Sequence, residues 1–319
     1  MRICIFWFTL VFTNIQYAIA DTGTRTAMQW LQAMQHALQS SAYQGTVIYA
    51  GASQIDTLQV FHAMFDGVEY EHILSLDLSP REVIREQSKI FCFNQQQRNG
   101  RVSVVMPHKN FLGLPSGLDS AESYYTVQLG NQQKVVQRSA QIVSILPKDN
   151  LRYQHKFWID QVSSIPVKIQ LIDNTGNVLE QLMFADLKTG QMIPRDQFLL
   201  PVESKQYQWV TQKSEIVPYE QQKWRVVDKP AGFEIVNYMQ EHNTLRSKRL
   251  THLLLSDGIA LVSVYVDGKA KTNEPSIELH RVGAMNLAKS IRSGYNLTIV
   301  GEVPQQTIRL IHNAMKIVH

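Results

Sequence analysis

Between Tyr43 and Leu187 apolar and polar residues alternate at period two in one run after another. That period puts every second side chain on one face of an extended strand. The runs are 43–49, 58–64, 68–74, 82–85, 90–93, 124–129, 135–145, 153–159, 166–172 and 178–187. Asp66-Gly67 joins the second to the third as a two-residue hairpin, and Asp173-Asn174-Thr175-Gly176 joins the last two. One helix precedes them: Ala27, Trp30, Leu31, Met34, Ala37 and Leu38 form a stripe at helical spacing. So many successive strands cannot stay flat, because strand twist accumulates; the sheet must curl and present a hollow face. One or two short helices cannot cover that face, so apolar surface is expected to remain as a cleft. Period two identifies residues that share a face, not which face is inside.

After this block the composition changes. Pro194, Pro201, Pro218 and Pro230 punctuate a polar stretch containing Gln206, Gln208, Gln212, Gln221 and Gln222. The chain exceeds what one core usually serves, so the expected division is a first domain over 21–195, a linker over 196–222 and a smaller domain over 223–319. In the last part Ser256-Asp257-Gly258 reads as a turn and 259–266 as a buried strand. Residues 283–294 read as a short helix, with Met285, Ala288 and Ile291 on one face and Gly294 stopping it. Pro304 is expected to open a final helix carrying Ile308, Ile311 and Met315 inward. The fold class expected is α+β: a large curved antiparallel half-barrel sheet with few helices, plus a smaller α+β C-terminal domain.

The first twenty residues carry Arg2, an apolar run over 3–12 and Ala18-Ile19-Ala20 before Asp21. This pattern is expected to be a secretory signal peptide, 1–20, too short to span a membrane. Its loss takes the formal charge from +4 to +3 with the departure of Arg2, a balance unlike that of a nucleic-acid binder. It also leaves Cys92 as the sole cysteine, so no intramolecular disulfide is expected. The aromatic neighbours in Phe91-Cys92-Phe93 predict a buried thiol. Arg246-Ser247-Lys248-Arg249 and Lys269 with Lys271 form basic clusters, either solvated faces or landing sites for an acidic partner segment or lipid phosphates.

Candidates for chemistry fall away. Gly113-Leu114-Pro115-Ser116-Gly117 places its serine fourth, not third as a nucleophile elbow requires. The ten histidines adopt no zinc-ligand spacing, and no Walker loop or Gly-x-Gly-x-x-Gly occurs. No enzyme, cofactor, metal or nucleic acid is therefore expected. Val105-Met106-Pro107 and Phe111-Leu112-Gly113-Leu114 are unusually apolar for a broken segment and read either as a core plug or as a flap at the cleft mouth. Candidate lipid-binding residues are Tyr43, Val47, Tyr49, Phe61, Phe111, Leu112, Leu114, Phe157 and Trp158. Arg81, Arg85, Arg98 and Arg101 are candidates by residue type to meet phosphates. Candidate partner-binding residues are Arg246, Lys248, Arg249, Leu261, Ser263, Tyr265, Thr298 and Val300, with 261–266 and 296–303 offering strand edges to an extended peptide.

The order and wording of the segments from Leu255 to Met315 resemble the RseB/MucB family, periplasmic negative regulators of the sigma-E envelope-stress response. So do Gly67-Val68-Glu69-Tyr70-Glu71, Arg81-Glu82-Val83-Ile84-Arg85, and Arg152-Tyr153 followed by Trp158-Ile159-Asp160. The resemblance covers nearly the whole chain after the leader. It implies a first domain like the lipoprotein carriers of the outer-membrane sorting pathway. It further implies binding to the periplasmic domain of a membrane-spanning anti-sigma factor, protection of that segment from site-1 proteolysis, and release by lipopolysaccharide or lipoprotein acyl chains. The alternative is a periplasmic lipid or lipoprotein carrier without a regulatory partner. Self-association is left open.

Overall fold

The computed structural model describes residues 25–51, 54–77, 81–104, 111–113, 122–243, 246–270 and 277–318. The expected signal peptide lies outside them. Helix α1, Ala27–Ser40, starts where Thr26 and Gln29 exchange side-chain-to-backbone hydrogen bonds, a capping box that satisfies two otherwise orphaned N–H groups. Its buried residues are Leu31, Met34, Ala37 and Leu38.

Eleven described strands come next: β1 Tyr43–Gly51, β2 Gln54–Phe65, β3 Val68–Ser75, β4 Glu82–Glu86, β5 Lys89–Asn94, β6 Asn99–Val104, β7 Tyr125–Val135, β8 Arg138–Pro147, β9 Gln154–Asp160, β10 Pro166–Ile172 and β11 Val178–Thr189. They pair antiparallel in the order β7-β8-β9-β10-β11-β1-β2-β3-β4-β5-β6. The first strand thus sits mid-sheet, clamped between β11 and β2. Helix α1 lies across the inner face, packed with Tyr43, Val47, Val143, Phe157 and Phe184.

Two turns explain how the strands were legible or were not. Asp66 and Gly67, at φ 51° and 78°, are both left-handed, the geometry of the expected hairpin. Val136 and Gln137 adopt the same pair of left-handed conformations, at 49° and 61°. This turn has no Gly, Asn or Asp to signal it, so the expected run over 135–145 begins before the turn, and β7 extends to Val135 rather than ending at 129. Strand β6 has no counterpart among the alternating runs. Its Gly100 lies against the Trp209 ring, where an added Cβ would come within 2.5 Å of a ring carbon.

The stretch expected to be a linker is structured. It holds 3-10 turns at Arg195–Phe198 and Val202–Gln206, and strand β12, Gln208–Ile216. Residues 208–211 of β12 pair parallel with β6, and residues 212–216 pair antiparallel with residues 239–243 of the second sheet. One strand therefore belongs to both sheets.

The second sheet comprises β14 Glu234–Asn243, β15 Arg246–Ser256, β16 Leu261–Lys269, β17 Ile277–Val282, β18 Met285–Arg292 and β19 Tyr295–Gly301. Its order from the shared strand is β12-β14-β15-β16-β19-β18-β17, all antiparallel. Helix α2, Gln305–Ala314, buries Thr307, Ile308, Ile311 and Ala314 against Val262, Val264 and Ile299. A small ribbon pairs β13, Trp224–Val226, with β20, Met315–Ile317. The short helix expected over 283–294 is instead a hairpin corner and strand β18. Its inward residues are Asn286, Ala288 and Ser290, too small and polar to print an apolar alternation. Gly283 and Gly294 are corners at φ 60° and 76°. Met315 is buried as expected, but in β20 rather than on the helix.

The halves meet at a buried charge. Arg152 is fully buried, and its Nε donates to the Asp257 carboxylate at 2.7 Å. The Tyr125 hydroxyl donates to the same oxygen at 2.8 Å. The guanidinium also bonds Asp149 and the Ala231 carbonyl, and lies over the Tyr124 and Phe233 rings at 4.6 and 5.1 Å. The other Asp257 oxygen accepts the N–H groups of Ile259 and Ala260. Around this pair, Asn286 donates to the Tyr153 hydroxyl at 3.0 Å and Thr307 donates to the Leu151 carbonyl at 2.6 Å. Removing one partner strands a desolvated charge. Asp257→Ala should therefore lower stability in urea unfolding by about 3–5 kcal/mol, and Arg152→Met with Asp257→Leu should recover much of that.

A second charged cluster lies on the first sheet. Arg85 bridges Glu69 at 3.0 Å and Glu71 at 3.1 Å, and His62 meets Glu69 at 3.0 Å. Arg85 is thus tied into the sheet rather than placed to receive a phosphate. Burial alone would raise the Glu69 carboxyl, but the bonds from His62 and Arg85 outweigh it and hold it at about 2. A carboxyl depressed on folding stabilises the fold above its ordinary range, and that contribution is lost as pH falls. Acid unfolding followed by circular dichroism should therefore draw on Glu69 between pH about 4.5 and 2, and Glu69→Gln should flatten that part of the curve.

Candidate ligand cleft and partner face

On the inner face, beyond the end of α1, four neighbouring strands leave a two-row patch. Register aligns Phe157, Ile169, Leu182 and Tyr49 across β9, β10, β11 and β1. The next row is His155, Leu171, Glu180 and Gly51. With Phe111, Leu112, Gly113 and Glu302 these residues, Gly51 apart, line a cavity of about 320 Å³. That is near the lower end of ordinary small-molecule sites. Gly51 leaves room for the Tyr49 hydroxyl, which would come within 2.4 Å of a Cβ there. The floor is apolar and the polar groups sit at the rim.

Glu180 ties the rim to the other half, because its Oε1 accepts the Ala284 N–H at 2.9 Å. Glu302, just beyond β19, supplies a wall from the second sheet. Burial, then the charge of Glu180 and its hydrogen bond, push the Tyr49 hydroxyl up to about 12. It remains a protonated donor at neutral pH.

Of the candidate lipid-binding residues, Tyr49, Phe111, Leu112 and Phe157 line this cavity. Tyr43 and Val47 share its face but are sealed under α1. Trp158 points to the opposite face of β9, where its Nε1 donates to Gln133 and the Lys156 and Lys168 ammonium groups lie over its ring. Phe61 stacks on His72 and packs in a separate cluster with Phe198. Leu114 and the 105–107 segment lie outside the described residues. Arg81 and Arg101 border a different groove, beside Cys92 and Trp209. The Cys92 thiol is exposed rather than buried, because alternation sends Phe91 and Phe93 to the Trp209 side and Cys92 to the other. Gly113, His155, Ile169, Leu171, Leu182, Glu180 and Glu302 were missed. Once β9, β10, β11 and β1 are known to be neighbours, pairing with Phe157 finds Ile169 and Leu182, and the adjacent row adds His155, Leu171 and Glu180.

Leu261, Ser263, Tyr265, Thr298 and Val300 do share one half-buried face of the second sheet. Ser263 stands opposite Val300 and Tyr265 opposite Thr298, while Val262, Val264 and Val266 fill the core. They offer a face and not an edge, since β16 pairs with β15 and β19, and β19 with β16 and β18. Among the described pairings β17 has a single neighbour. Arg246, Lys248 and Arg249 lie in β15, with side chains outside the described set, as is that of Lys269; Lys271 is outside the described residues.

Residues 26–202 match the MucB/RseB N-terminal domain and residues 218–316 match the MucB/RseB C-terminal domain. The chain belongs to the MucB/RseB family. Similar relatives include the sigma factor AlgU regulatory protein MucB of Pseudomonas aeruginosa, 24% identical over 295 residues, covering 91% of this chain and 90% of that protein. The sigma-E factor regulatory protein RseB of Escherichia coli is 24% identical over 321 residues, covering 97% of each. Among solved structures, the Pseudomonas aeruginosa MucA/MucB complex superposes with a TM-score of 0.73 at 22% identity, covering 92% of this chain and 99% of that one. MucB crystallised alone gives 0.64 at 21% identity over 92% and 98%. These relatives are named as regulatory proteins, and the solved structures share the whole two-part fold. No helix among the described residues is long and apolar enough to cross a membrane.

A bulky residue on the floor should close the cleft without touching the halves' ion pair. Leu182→Trp should abolish binding of the apolar fluorophore N-phenylnaphthylamine, read by its emission, while shifting the thermal midpoint by only a few degrees.

Proposed function

We propose that this chain is an exported periplasmic regulator that holds the periplasmic segment of a membrane-spanning anti-sigma factor. In this reading it shields that segment from site-1 proteolysis and lets go when an acyl chain, from lipopolysaccharide or a lipoprotein, enters the cleft. Membership of the MucB/RseB family supports the partner class, as does the solved complex of a relative with MucA. The leader over 1–20, the division into 21–195, 196–222 and 223–319, and the periplasmic location belong to the same proposal.

The observation that carries the release step is that the cleft is walled by both halves, through Glu180 and Glu302. A ligand can shift a conformational equilibrium only by its differential affinity for the two states. A ligand touching both sides of a junction has that differential affinity available. Each buried methylene contributes about 0.8 kcal/mol, so a twelve-carbon chain offers roughly 10 kcal/mol before ordering costs. A fraction of that suffices to move the equilibrium. The proposed partner contact is the second sheet, on the face of Leu261, Ser263, Tyr265, Thr298 and Val300. A carrier with no partner would use the cleft but has no evident need of a second sheet and its shared strand.

Mature protein should bind a synthetic periplasmic segment of the anti-sigma factor encoded alongside it and slow its cleavage by the site-1 protease. A short-chain acyl ligand should weaken that complex at least tenfold, by an amount set by its preference for the partner-free form. Leu182→Trp should bind the segment normally yet ignore the ligand. Retained acyl binding with no segment binding would identify a carrier instead.

A further inference from the structure

On the proposed partner face the main-chain groups are already spent, because β16 is paired on both sides, with β15 and with β19. Hydrogen bonds to a peptide lying there must come from side chains. Those side chains are joined in one relay across four strands. Gln212 of β12 donates to one oxygen of the Glu241 carboxylate in β14. The other oxygen meets Nδ1 of His252, in β15, at 2.8 Å. Nε2 of the same ring lies 3.1 Å from the Ser263 hydroxyl in β16. Ser263 is in turn hydrogen-bonded to the Tyr265 hydroxyl, and the Tyr265 ring stacks on His252 with centroids 4.3 Å apart. Glu241 and His252 are buried, whereas Ser263 and Tyr265 are half-buried and reach the surface.

Chemistry fixes the direction of this relay. A carboxylate only accepts, so Nδ1 carries a hydrogen and Nε2 is the nitrogen that gains or loses the second proton. With Nε2 bare, the ring accepts the Ser263 hydrogen, Ser263 accepts that of Tyr265, and the Tyr265 oxygen is left to accept from outside. With Nε2 protonated each bond reverses, and the Tyr265 hydrogen turns outward. We propose that His252 sets the hydrogen-bond polarity of the partner face. With its Nε2 bare the face accepts an N–H donor from an extended peptide; with Nε2 protonated the face becomes a donor that such a peptide does not match. This rests on the partner face proposed above and adds its regulation. Glu241 from β14 and Tyr265 from β16 touch the ring, Asp267 lies further along β16 beside Leu250, and Arg101 from β6 acts on Tyr265 through space. The Lys248 side chain lies outside the described set. Burial pushes the Tyr265 hydroxyl above its ordinary range, so it keeps its hydrogen in both states. A peptide that prefers the bare ring expels a proton on binding, so its affinity falls as pH falls.

The test uses the full protein without its leader, labelled with nitrogen-15 at histidine. The His252 ring signals, assigned by their loss in His252→Gln, should show Nε2 as the bare nitrogen and give the midpoint of its titration between pH about 8.5 and 5.5. Over the same range the synthetic anti-sigma segment should bind on the order of fivefold more weakly in acid, with the same midpoint. His252→Gln, whose amide can donate to Glu241 and accept from Ser263, should bind with the high-pH affinity throughout. Tyr265→Phe keeps the stacked ring but removes the end of the relay, so His252 should still titrate while binding loses its pH dependence. A purely structural His252 would leave that dependence in place. Binding that stays constant through the His252 titration, or a slope that survives Tyr265→Phe, overturns the proposal while leaving the partner face intact. A ring that keeps one protonation state over the whole range overturns it as well. If the segment binds at no pH, the partner reading fails and this inference fails with it.

Discussion

A helix of fourteen residues is the main cover for the inner face of an eleven-strand sheet. At 1.5 Å per residue it is about 21 Å long. Strands about 4.8 Å apart make the sheet roughly 50 Å wide before curvature. That mismatch decides where the inner face is closed and where it stays open. Where α1 lies, the face is a closed core of Tyr43, Val47, Val143 and Phe184. Away from the helix, the same face continues as Tyr49, Ile169, Leu171 and Leu182, with the 111–113 segment and Glu302 lining it among the described residues. The cleft is the remainder of a packing problem that one helix cannot finish.

The second half both completes that cleft and is held by it. Strand β12 passes from one sheet to the other without a break, pairing with β6 and then β14. At another part of the junction the desolvated Arg152–Asp257 pair fixes the corner at 149–153 against the turn at 257–260. A buried ion pair adds little net stability but is costly to disturb, which suits a contact that sets how two parts sit. Tyr125, Tyr124 and Phe233 wrap the guanidinium, so Arg152 has hydrogen-bond acceptors at its edge and ring faces above and below.

Much of the first sheet was legible because its inward residues are large and apolar and its sharpest hairpin carries Asp66-Gly67. The rest was hidden for identifiable reasons. The Val136-Gln137 turn uses left-handed residues of types that seldom mark turns. Strand β18 turns Asn286, Ala288 and Ser290 inward, so its pattern imitates a helix carrying Met285, Ala288 and Ile291. For the cleft, alternation found Tyr49 and Phe157 but also Tyr43 and Val47, since residues on one strand face look alike whether a helix lies over them or not. Trp158 and Phe61 failed for the complementary reason: aromaticity marks burial and not the side. Glu180 and Glu302 have no sequence signal at all, because their role depends on two distant segments meeting.

That meeting would give the proposed linkage between ligand and partner a physical route. Phe157, Ile169 and Leu182 offer burial to any chain, and burial alone is indifferent to what the second sheet does. Glu180 is different, because it lines the cleft and accepts the N–H of Ala284 at the β17–β18 corner. In the proposed reading, a ligand that engages Glu180 would compete with that bond, whereas one that leaves it alone would fill the cleft without effect on the corner. The neighbouring bonds from Asn286 to Tyr153 and from Thr307 to Leu151 would then bear the junction with Arg152 and Asp257. Energetic coupling requires an element with two arrangements that both ligands bias. The corner at Gly283 and Ala284 is the place for such an element in the proposed reading, because the side chain that anchors it across the junction also lines the cleft.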